Sequence, residues 1–258
     1  MPHQILFHVS DTATTFATWA ALTSAELAHV TRQLRVERGR GRPWSQPLRR
    51  RVLVACAALR TNLTMRELAA AFLISKSQVH RIVADLTPRL ARLFATTTNL
   101  DRRWSWVVDG TLVPTRDHEA AAKSKNYRWS CNAQVVARRA DLRVVAVEAG
   151  GPGNRNDVVH YRDSNVEVIC RRHKRVLADG GYRGIPELIT PVFRKNRIVR
   201  NRAWRRHRKR RARVEHALAR LKDWRVLRDH RRRGRHLPAT FRAVAFLHNI
   251  RVIFRDIS

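Results

Sequence analysis

The chain has 258 residues, of which 53 are Lys or Arg and 20 are Asp or Glu, so its formal net charge is +33. Hydrophobic residues make up 44% of it, enough for packed domains, which excludes general disorder. The charge points to a polyanionic partner, DNA or RNA, rather than a membrane surface, because no stretch has the pattern of a basic amphipathic anchor. Charge alone does not separate DNA from RNA.

The N-terminal third is predicted to be helical. Residues 12–37 carry apolar residues at helical spacing, with a break near Ser24, and a basic linker follows at 39–43. The range 47–94 predicts a compact module of helices. We therefore expect an N-terminal helical segment with its linker at 1–43, a helical domain at 44–98 and a further domain at 99–258.

Two capping boxes lie inside the helical module. Thr64 with Glu67, and Ser75 with Gln78, each place a hydroxyl three residues before a Glu or Gln. Two short capped helices joined by a tight turn are typical of a helix-turn-helix, although an ordinary helical bundle has the same pattern. The outward residues at the start of the second helix are then the candidate DNA contacts: Lys76, Ser77, Gln78, His80 and Arg81.

Strands are predicted from about residue 104 onwards. Residues 104–109 and 176–179 are short β-rich runs that end in an aspartate, while 132–137 and 142–149 are spaced as a hairpin. A further short strand or turn is possible near 191–200, and a long helix is predicted for 203–226. This order predicts an α/β domain after an all-helical region.

Asp109 and Asp179 share one local pattern, in which two apolar residues precede an aspartate and a glycine follows it. If the two strands are neighbours in one sheet, both carboxylates lie at the same edge. Carboxylates held in this way suit Mg²⁺, which prefers hard oxygen ligands. The alternative is that each aspartate only caps a turn, as Asp-Gly pairs often do.

A third acid, Glu215, lies on the predicted long helix. Val214 and Leu218 belong to the apolar stripe of this helix, and Glu215 lies at the margin of that stripe, where it can face a cleft. The alternative is an ion pair with Arg211 at the i−4 position.

The segment before Glu215 is unusually basic, because 12 of the 20 residues from Arg194 to Arg213 are Lys or Arg. Like charges one helical turn apart repel, so Arg205–Arg211 is expected to form a poor helix in isolation. The whole segment is expected to order more fully on a polyanion. We expect it to follow the DNA backbone beside the active site. The candidate contacts are Arg205, Arg206, Arg208, Lys209, Arg210 and Arg211.

Four motifs in order give the chain a recognisable family pattern. They read VVDGT at 107–111, GPGNRND at 151–157, LADGGYRG at 177–184 and RVEHALARLKDWRVL at 213–227. Over roughly 45–250 the chain resembles bacterial insertion-sequence transposases of the DDE superfamily, in the group named after insertion sequence five, which is related to Harbinger-like elements.

This resemblance implies a ribonuclease H-like catalytic core preceded by a helix-turn-helix. It implies that Asp109, Asp179 and Glu215 are the catalytic, metal-binding acids, with Mg²⁺ or Mn²⁺, two ions, as cofactor. Asp157 matches a further acid of the family outside this triad, and we interpret it as the cap of a short helix.

The resemblance further implies an enzyme that cuts double-stranded DNA at the ends of its element and joins the 3′ ends to target DNA. It implies a homo-oligomer on DNA and a cytoplasmic location at the bacterial nucleoid. Two alternatives remain open: a catalytically silent DNA-binding descendant, and a nuclease of the same fold that does not join strands.

The cysteines and the chain start fit a cytoplasmic location. Cys56, Cys131 and Cys170 are scattered without a CxxC pair, so reduced thiols are expected. The first residues lack the pattern of a secretory signal, and the apolar runs are too short to span a bilayer.

Overall fold

The computed structural model describes residues 19–34, 43–97, 103–123 and 128–256. The predicted helical residues 12–18 and 35–37 and the linker residues 39–42 lie outside these ranges. The chain divides into two compact units, residues 1–90 and 91–258. The domain boundaries proposed above at residues 43 and 98 remain predictions.

The first unit is helical throughout its regular structure. Its helices are α1 (Ser24–Gln33), α2 (Leu48–Thr61), α3 (Met65–Phe72) and the larger part of α4 (Lys76–Thr97). The predicted break near Ser24 is confirmed, because Thr23 is the N-cap of α1 and forms a capping box with Glu26.

Both predicted capping boxes are confirmed. The backbone N–H of Glu67 donates to the Thr64 hydroxyl at 3.2 Å, and the N–H of Gln78 donates to the Ser75 hydroxyl at the same distance. Between the two helices Leu73 takes a left-handed conformation that closes the turn. The stripe predicted for α4 is buried at Val79, Ile82, Val83 and Leu86. Local capping and an apolar stripe therefore define the helix-turn-helix pattern.

The second unit is built on a mixed sheet. Its strands are β1 (Trp106–Pro114), β2 (Ala122–Lys123), β3 (Trp129–Arg138), β4 (Val144–Pro152), β5 (Val176–Leu177) and β6 (Leu188–Ile189). Strand β3 pairs antiparallel with both β1 and β4, which confirms the predicted hairpin, while β5 pairs in parallel with β1 on one side and with β6 on the other. A separate short hairpin, β7 (Phe193–Arg194) with β8 (Arg197–Ile198), occupies the region where a strand or turn was expected.

Helices cover both faces of this sheet. They are α5 (Asp157–Arg162), α6 (Asn165–Arg171), α7 (Arg202–Lys222) and α8 (Leu237–Arg255). Alternate residues of β1 divide the core: Val108 packs with Tyr161 and Val166 on the side of α5 and α6, whereas Val107 packs with Val214 of α7. Because successive side chains on a strand point to opposite faces, Asp109 shares the face of Val107 and hence of α7.

Two predicted boundaries are wrong. Strand β1 does not end at Asp109 but continues to Pro114, because its pairing with β3 extends over its full length. Helix α7 ends at Lys222 rather than at 226, where the chain turns and buries Trp224. The pairing with β3 sets the end of β1, and the burial of Trp224 sets the end of α7. The local sequence pattern shows neither contact.

Cys56, Cys131 and Cys170 are free and buried. In the part of the chain that the structure describes, none of the helices combines the length and the apolar character that crossing a membrane requires.

Candidate active site

Asp109 and Asp179 occupy equivalent positions relative to the paired strands β1 and β5. The parallel pairing of β1 and β5 ends with Val107 opposite Leu177, and each aspartate follows that pair by two residues. Beyond this pair β1 and β5 separate, because the chain leaves β5 while β1 continues along β3. This separation places both acids at the edge that the sequence predicted, although Asp109 is in the middle of its strand.

Short backbone contacts fix the two carboxylates. Asp109 Oδ1 accepts from the N–H of Gly110 at 3.0 Å, and Asp179 Oδ1 accepts from the N–H of Gly181 at 2.8 Å, capping a turn of 3₁₀ helix. The turn-capping alternative is therefore correct for Asp179 as a description of its local structure. It does not compete with a functional role, because a capped carboxylate is held in one orientation.

The Arg211 guanidinium lies between Asp109 and Glu215. Its Nη1 donates to Asp109 Oδ2 at 3.1 Å, and its Nη2 donates to Glu215 Oε1 at 2.8 Å. The ion pair expected from the i−4 spacing is confirmed, and the same side chain also joins helix α7 to strand β1. Asp109 is only 17% exposed whereas Glu215 is 60% exposed, so the helix contributes the solvent-facing acid of the group.

The surroundings of Asp109 disfavour its negative charge. Burial raises the pKa of Asp109 from 3.8 to about 6, Arg211 opposes the rise, and the charges of Asp179 and Asp157 add to it. Carboxylates that raise the pKa of a neighbour are close enough to repel it, and a cation among them relieves that repulsion. The electrostatics of this sheet edge therefore favour a bound cation.

Asp157 reaches the same place from the opposite face of the sheet. An ideal Cβ built on Gly110 would lie 2.2 Å from Asp157 Oδ1, so the carboxylate occupies the space that the missing side chain leaves. Our interpretation of Asp157 as a helix cap is wrong: Asn156 is the N-cap residue of α5, and within the described chain that helix has no side-chain cap. The carboxylate faces the sheet because polar side chains on β3 bind it there.

Those side chains are Asn132 and Gln134, which are buried. Asn132 Nδ2 donates to Asp157 Oδ1 at 2.8 Å, Gln134 Nε2 approaches the same oxygen at 3.4 Å, and the Tyr182 hydroxyl donates to Gln134 Oε1. Sequence reasoning missed this network. The available signal was two polar residues, at alternate positions, in an otherwise apolar predicted strand.

Among the described residues no group of three or more His, Cys, Asp or Glu side chains is placed to hold a metal ion together. The donor set nevertheless fits a divalent cation. Its members are hard oxygen ligands, burial disfavours the charge of Asp109, and the positive charge of Arg211 already lies against two of the three acids. The acids fit a metal ion once the Arg211 ion pairs open.

Four of the five predicted DNA contacts of α4 are exposed: Lys76, Ser77, His80 and Arg81. Gln78 is half-buried and donates to the Ser45 hydroxyl at 2.7 Å, besides accepting from the Ser75 N–H. The Arg81 guanidinium lies 4.9 Å from the centre of the Trp44 ring. Gln78 and Arg81 therefore also contact residues that precede the helix.

The basic segment begins in the β7–β8 hairpin, and its part from Arg202 to Arg213 forms the first half of α7. Its helix is capped by Asn201, whose side chain accepts from the N–H of Trp204 at 2.9 Å, and this cap offsets part of the repulsion between like charges. Five of the six predicted DNA contacts here are exposed: Arg205, Arg206, Arg208, Lys209 and Arg210. Arg211 alone is turned inward, to Asp109.

Comparison with known proteins agrees with this geometry. Residues 108–249 match the family of DDE superfamily endonucleases, a range that contains all four acids described above. The chain belongs to this family, and its N-terminal helices followed by a mixed sheet with flanking helices are the ribonuclease H-like class predicted from the sequence. It is 44% identical over 222 residues, 82% of this chain and 83% of the other, to a Streptomyces albus G protein named "Putative transposase for insertion sequence element IS112".

The contact between Gly110 and Asp157 gives a first prediction. Gly110→Ala should push the Asp157 carboxylate away from Asn132, because the new Cβ would take its place. We expect this variant and Asp157→Ala each to lower the DNA cleavage rate about 10- to 100-fold, the usual cost of losing a group that orients a metal ligand. The measurement is single-turnover cleavage, with thermal melting as the check on folding.

The double variant is the control for this prediction. If both changes act through the same carboxylate, Gly110→Ala should add little once Asp157 is already Ala, so the two effects are not additive. Fully additive losses would show that Gly110 and Asp157 act independently.

Proposed function

We propose that this protein is an insertion-sequence transposase. In this proposal it binds the ends of its element, cuts DNA by metal-dependent phosphodiester hydrolysis and joins the 3′ ends to target DNA by transesterification. The observation that supports the proposal is the Arg211 guanidinium, which binds both Asp109 and Glu215 beside an exposed arginine-rich helix, with Asp179 just after the strand that pairs with β1. The name of the Streptomyces relative supports it.

Each acid would have a role that follows from its position. Asp109 and Asp179 would hold two Mg²⁺ or Mn²⁺ ions from the rigid sheet edge, and Glu215 would complete the ligand set from α7. When bound, the divalent ions supply Lewis-acid chemistry to the oxygens of the phosphodiester. Asp157 would orient Asp109 from the other face of the sheet.

The other contributions of the protein would be to position the DNA and to neutralise the charge of its phosphates. In hydrolysis a water oxygen bonds to phosphorus as the bond to the 3′ oxygen breaks, and in joining that 3′ hydroxyl attacks a target phosphodiester in the same way. No covalent bond between protein and DNA is needed. The exposed arginines of α7 would hold the backbone in line, and the start of α4 would read the element's ends. We propose that the protein acts as a homo-oligomer on DNA, in the cytoplasm at the nucleoid.

One observation favours a second candidate. If the Arg211 guanidinium stays between Asp109 and Glu215, it excludes a metal ion from them, and the chain is a DNA-binding protein without cleavage activity. The two candidates differ in whether the ion pairs open when a divalent cation is added.

Replacement of the three acids tests the proposal. Asp109→Ala, Asp179→Ala and Glu215→Ala should each abolish Mg²⁺- or Mn²⁺-dependent cleavage of a plasmid that carries the gene with its flanking DNA, while DNA binding is largely retained. Each change removes a proposed metal ligand without removing a positive charge. Asp163→Ala, a change at an exposed acid of the same unit, is the matched control and should cleave normally. Near-normal cleavage by any of the three would remove that residue from the site.

Arg211 gives a prediction that does not depend on cleavage. Arg211→Gln should bind Mn²⁺ about tenfold more tightly in calorimetry without DNA, because the ion no longer competes with charge-assisted hydrogen bonds. The control is Arg210→Gln, which removes the same charge at the adjacent, exposed position. Equal affinities of the two variants would show that Arg211 does not compete with the metal.

The basic helix predicts a salt dependence. Each phosphate that is neutralised releases counterions, so replacing four exposed arginines of α7 with Gln should reduce the slope of log K against log salt by about three to four units. These four are Arg205, Arg206, Arg208 and Arg210.

The control for the salt experiment replaces four exposed cations across the sheet from α7: Arg155, Arg162, Arg172 and Lys174. This variant loses the same total charge and should keep the slope of the wild type. If the two variants behave alike, α7 is not on the DNA path.

A further inference from the structure

The mechanism above uses two arginines of a cleft beside the proposed active site, Arg206 and Arg210, but not the rest of that cleft. The cleft has a volume of about 710 Å³ and lies between the start of α7 and the chain around β6. That is within the range of sites that enclose a small molecule or one unit of a polymer. Its walls combine a cationic and an apolar surface.

The first kind is cationic. Four arginines, Arg139, Arg175, Arg206 and Arg210, line the cleft together with His207, and among the described residues its lining has no Asp or Glu. Arg206 and Arg210 are one turn apart on α7 and are exposed. Because their positive charges face the cleft, it attracts an anion.

The second kind is apolar and open to solvent. Ile189 and Val192 line the cleft and are 45% and 63% exposed, which is unusual for large aliphatic side chains in so charged a protein. The Trp204 ring completes this wall, and the Arg200 and Arg208 guanidinium groups lie 5.7 and 5.3 Å from its centre. Cation–π contacts of this kind hold an indole ring in place.

The cleft adjoins the carboxylates through two contacts. The His207 ring is 2.9 Å from the carbonyl oxygen of Ala178, the residue before Asp179, and Leu177 is part of the cleft wall. Arg210 precedes Arg211, whose guanidinium binds Asp109. A strand that passes the acids therefore has the cleft directly beside it.

We propose that this cleft binds an unpaired nucleotide of the DNA strand on which the acids act. Arg206 and Arg210 bind its phosphate, and the base lies against Trp204, Ile189 and Val192. A paired nucleotide does not use the cleft in this way, because its base faces are stacked inside the duplex, whereas apolar and aromatic walls bind the face of a free base. This inference rests on the proposed function for the identity of the strand as DNA.

The test compares two DNA probes in fluorescence anisotropy, with EDTA present so that only binding is measured. One probe is a 20-base-pair duplex of arbitrary sequence, and the other is the same duplex with a flap of four unpaired thymidines. We expect the full chain to prefer the flap probe about tenfold, from the contact of one or two bases with the cleft. The double variant R206Q/R210Q should reduce this preference to less than about twofold.

The matched control is R205Q/K209Q. It removes two charges from the same turns of α7 at positions that do not line the cleft, so it should weaken binding of both probes by similar factors and keep the tenfold preference. A second readout is 2-aminopurine in the flap, whose fluorescence should be quenched by the chain and much less by W204L. Thermal melting checks that each variant is folded.

Three results would overturn the proposal: equal binding of both probes by the wild type, loss of the preference in R205Q/K209Q as well, or competition by decaglutamate as strong as by deca-thymidylate. The last would show that the cleft binds any anion. Cleavage with no flap preference would refute the cleft alone, whereas flap preference without metal-dependent cleavage would refute the proposed function alone.

Discussion

The half-buried charge of Asp109 is the constraint on which the rest of the catalytic unit depends. A carboxylate that is 17% exposed needs a cation beside it, and here Arg211 of α7 supplies one at 3.1 Å. The ion pair joins the helix to the central strand and adds to the apolar contact between Val107 and Val214. Glu215 reaches the same guanidinium through its i+4 spacing on the helix. The bond from Arg211 to Asp109 thus places the turn of α7 that carries the third acid beside β1.

The two faces of β1 contact different helices and carry different acids of the site. The face of Val107 and Asp109 meets α7, and the face of Val108 and Gly110 meets α5 and α6. At Gly110 the strand has no side chain, so Asp157 approaches the backbone from behind and is held by buried amides. A buried polar network of this kind is costly unless it is satisfied. Here the network holds Asp157, whose negative charge acts on Asp109 from the other face of the strand.

Charge is distributed unevenly along α7. The first half carries exposed arginines and lines a cleft with apolar walls, while the second half carries the buried residues Val214, Ala217 and Leu221. The hydrophobic contacts of the second half stabilise the helix. They offset the repulsion between the like charges that lie one turn apart in the first half. A helix built in this way presents charge to a polyanion next to the acids.

The sequence by itself determined the features that depend on near neighbours. The capping boxes at Thr64 and Ser75, the buried stripe of α4, the hairpin of β3 and β4 and the α/β class were all predictable, because caps, periodicity and turns act over a few residues. The ordered motifs indicated Asp109, Asp179 and Glu215 as one group.

Only the tertiary structure decided which partners those acids have. The end of β1 depends on how far β3 extends, which no local pattern specifies. Arg211 could be paired with Glu215 from its spacing, but its bond to Asp109 spans 102 residues of sequence. The cap assigned to Asp157 failed for the same reason, since Asn132, 25 residues earlier, binds the carboxylate instead. Long-range contacts compete with local ones for the same polar side chains, and a local sequence pattern shows only the local partners.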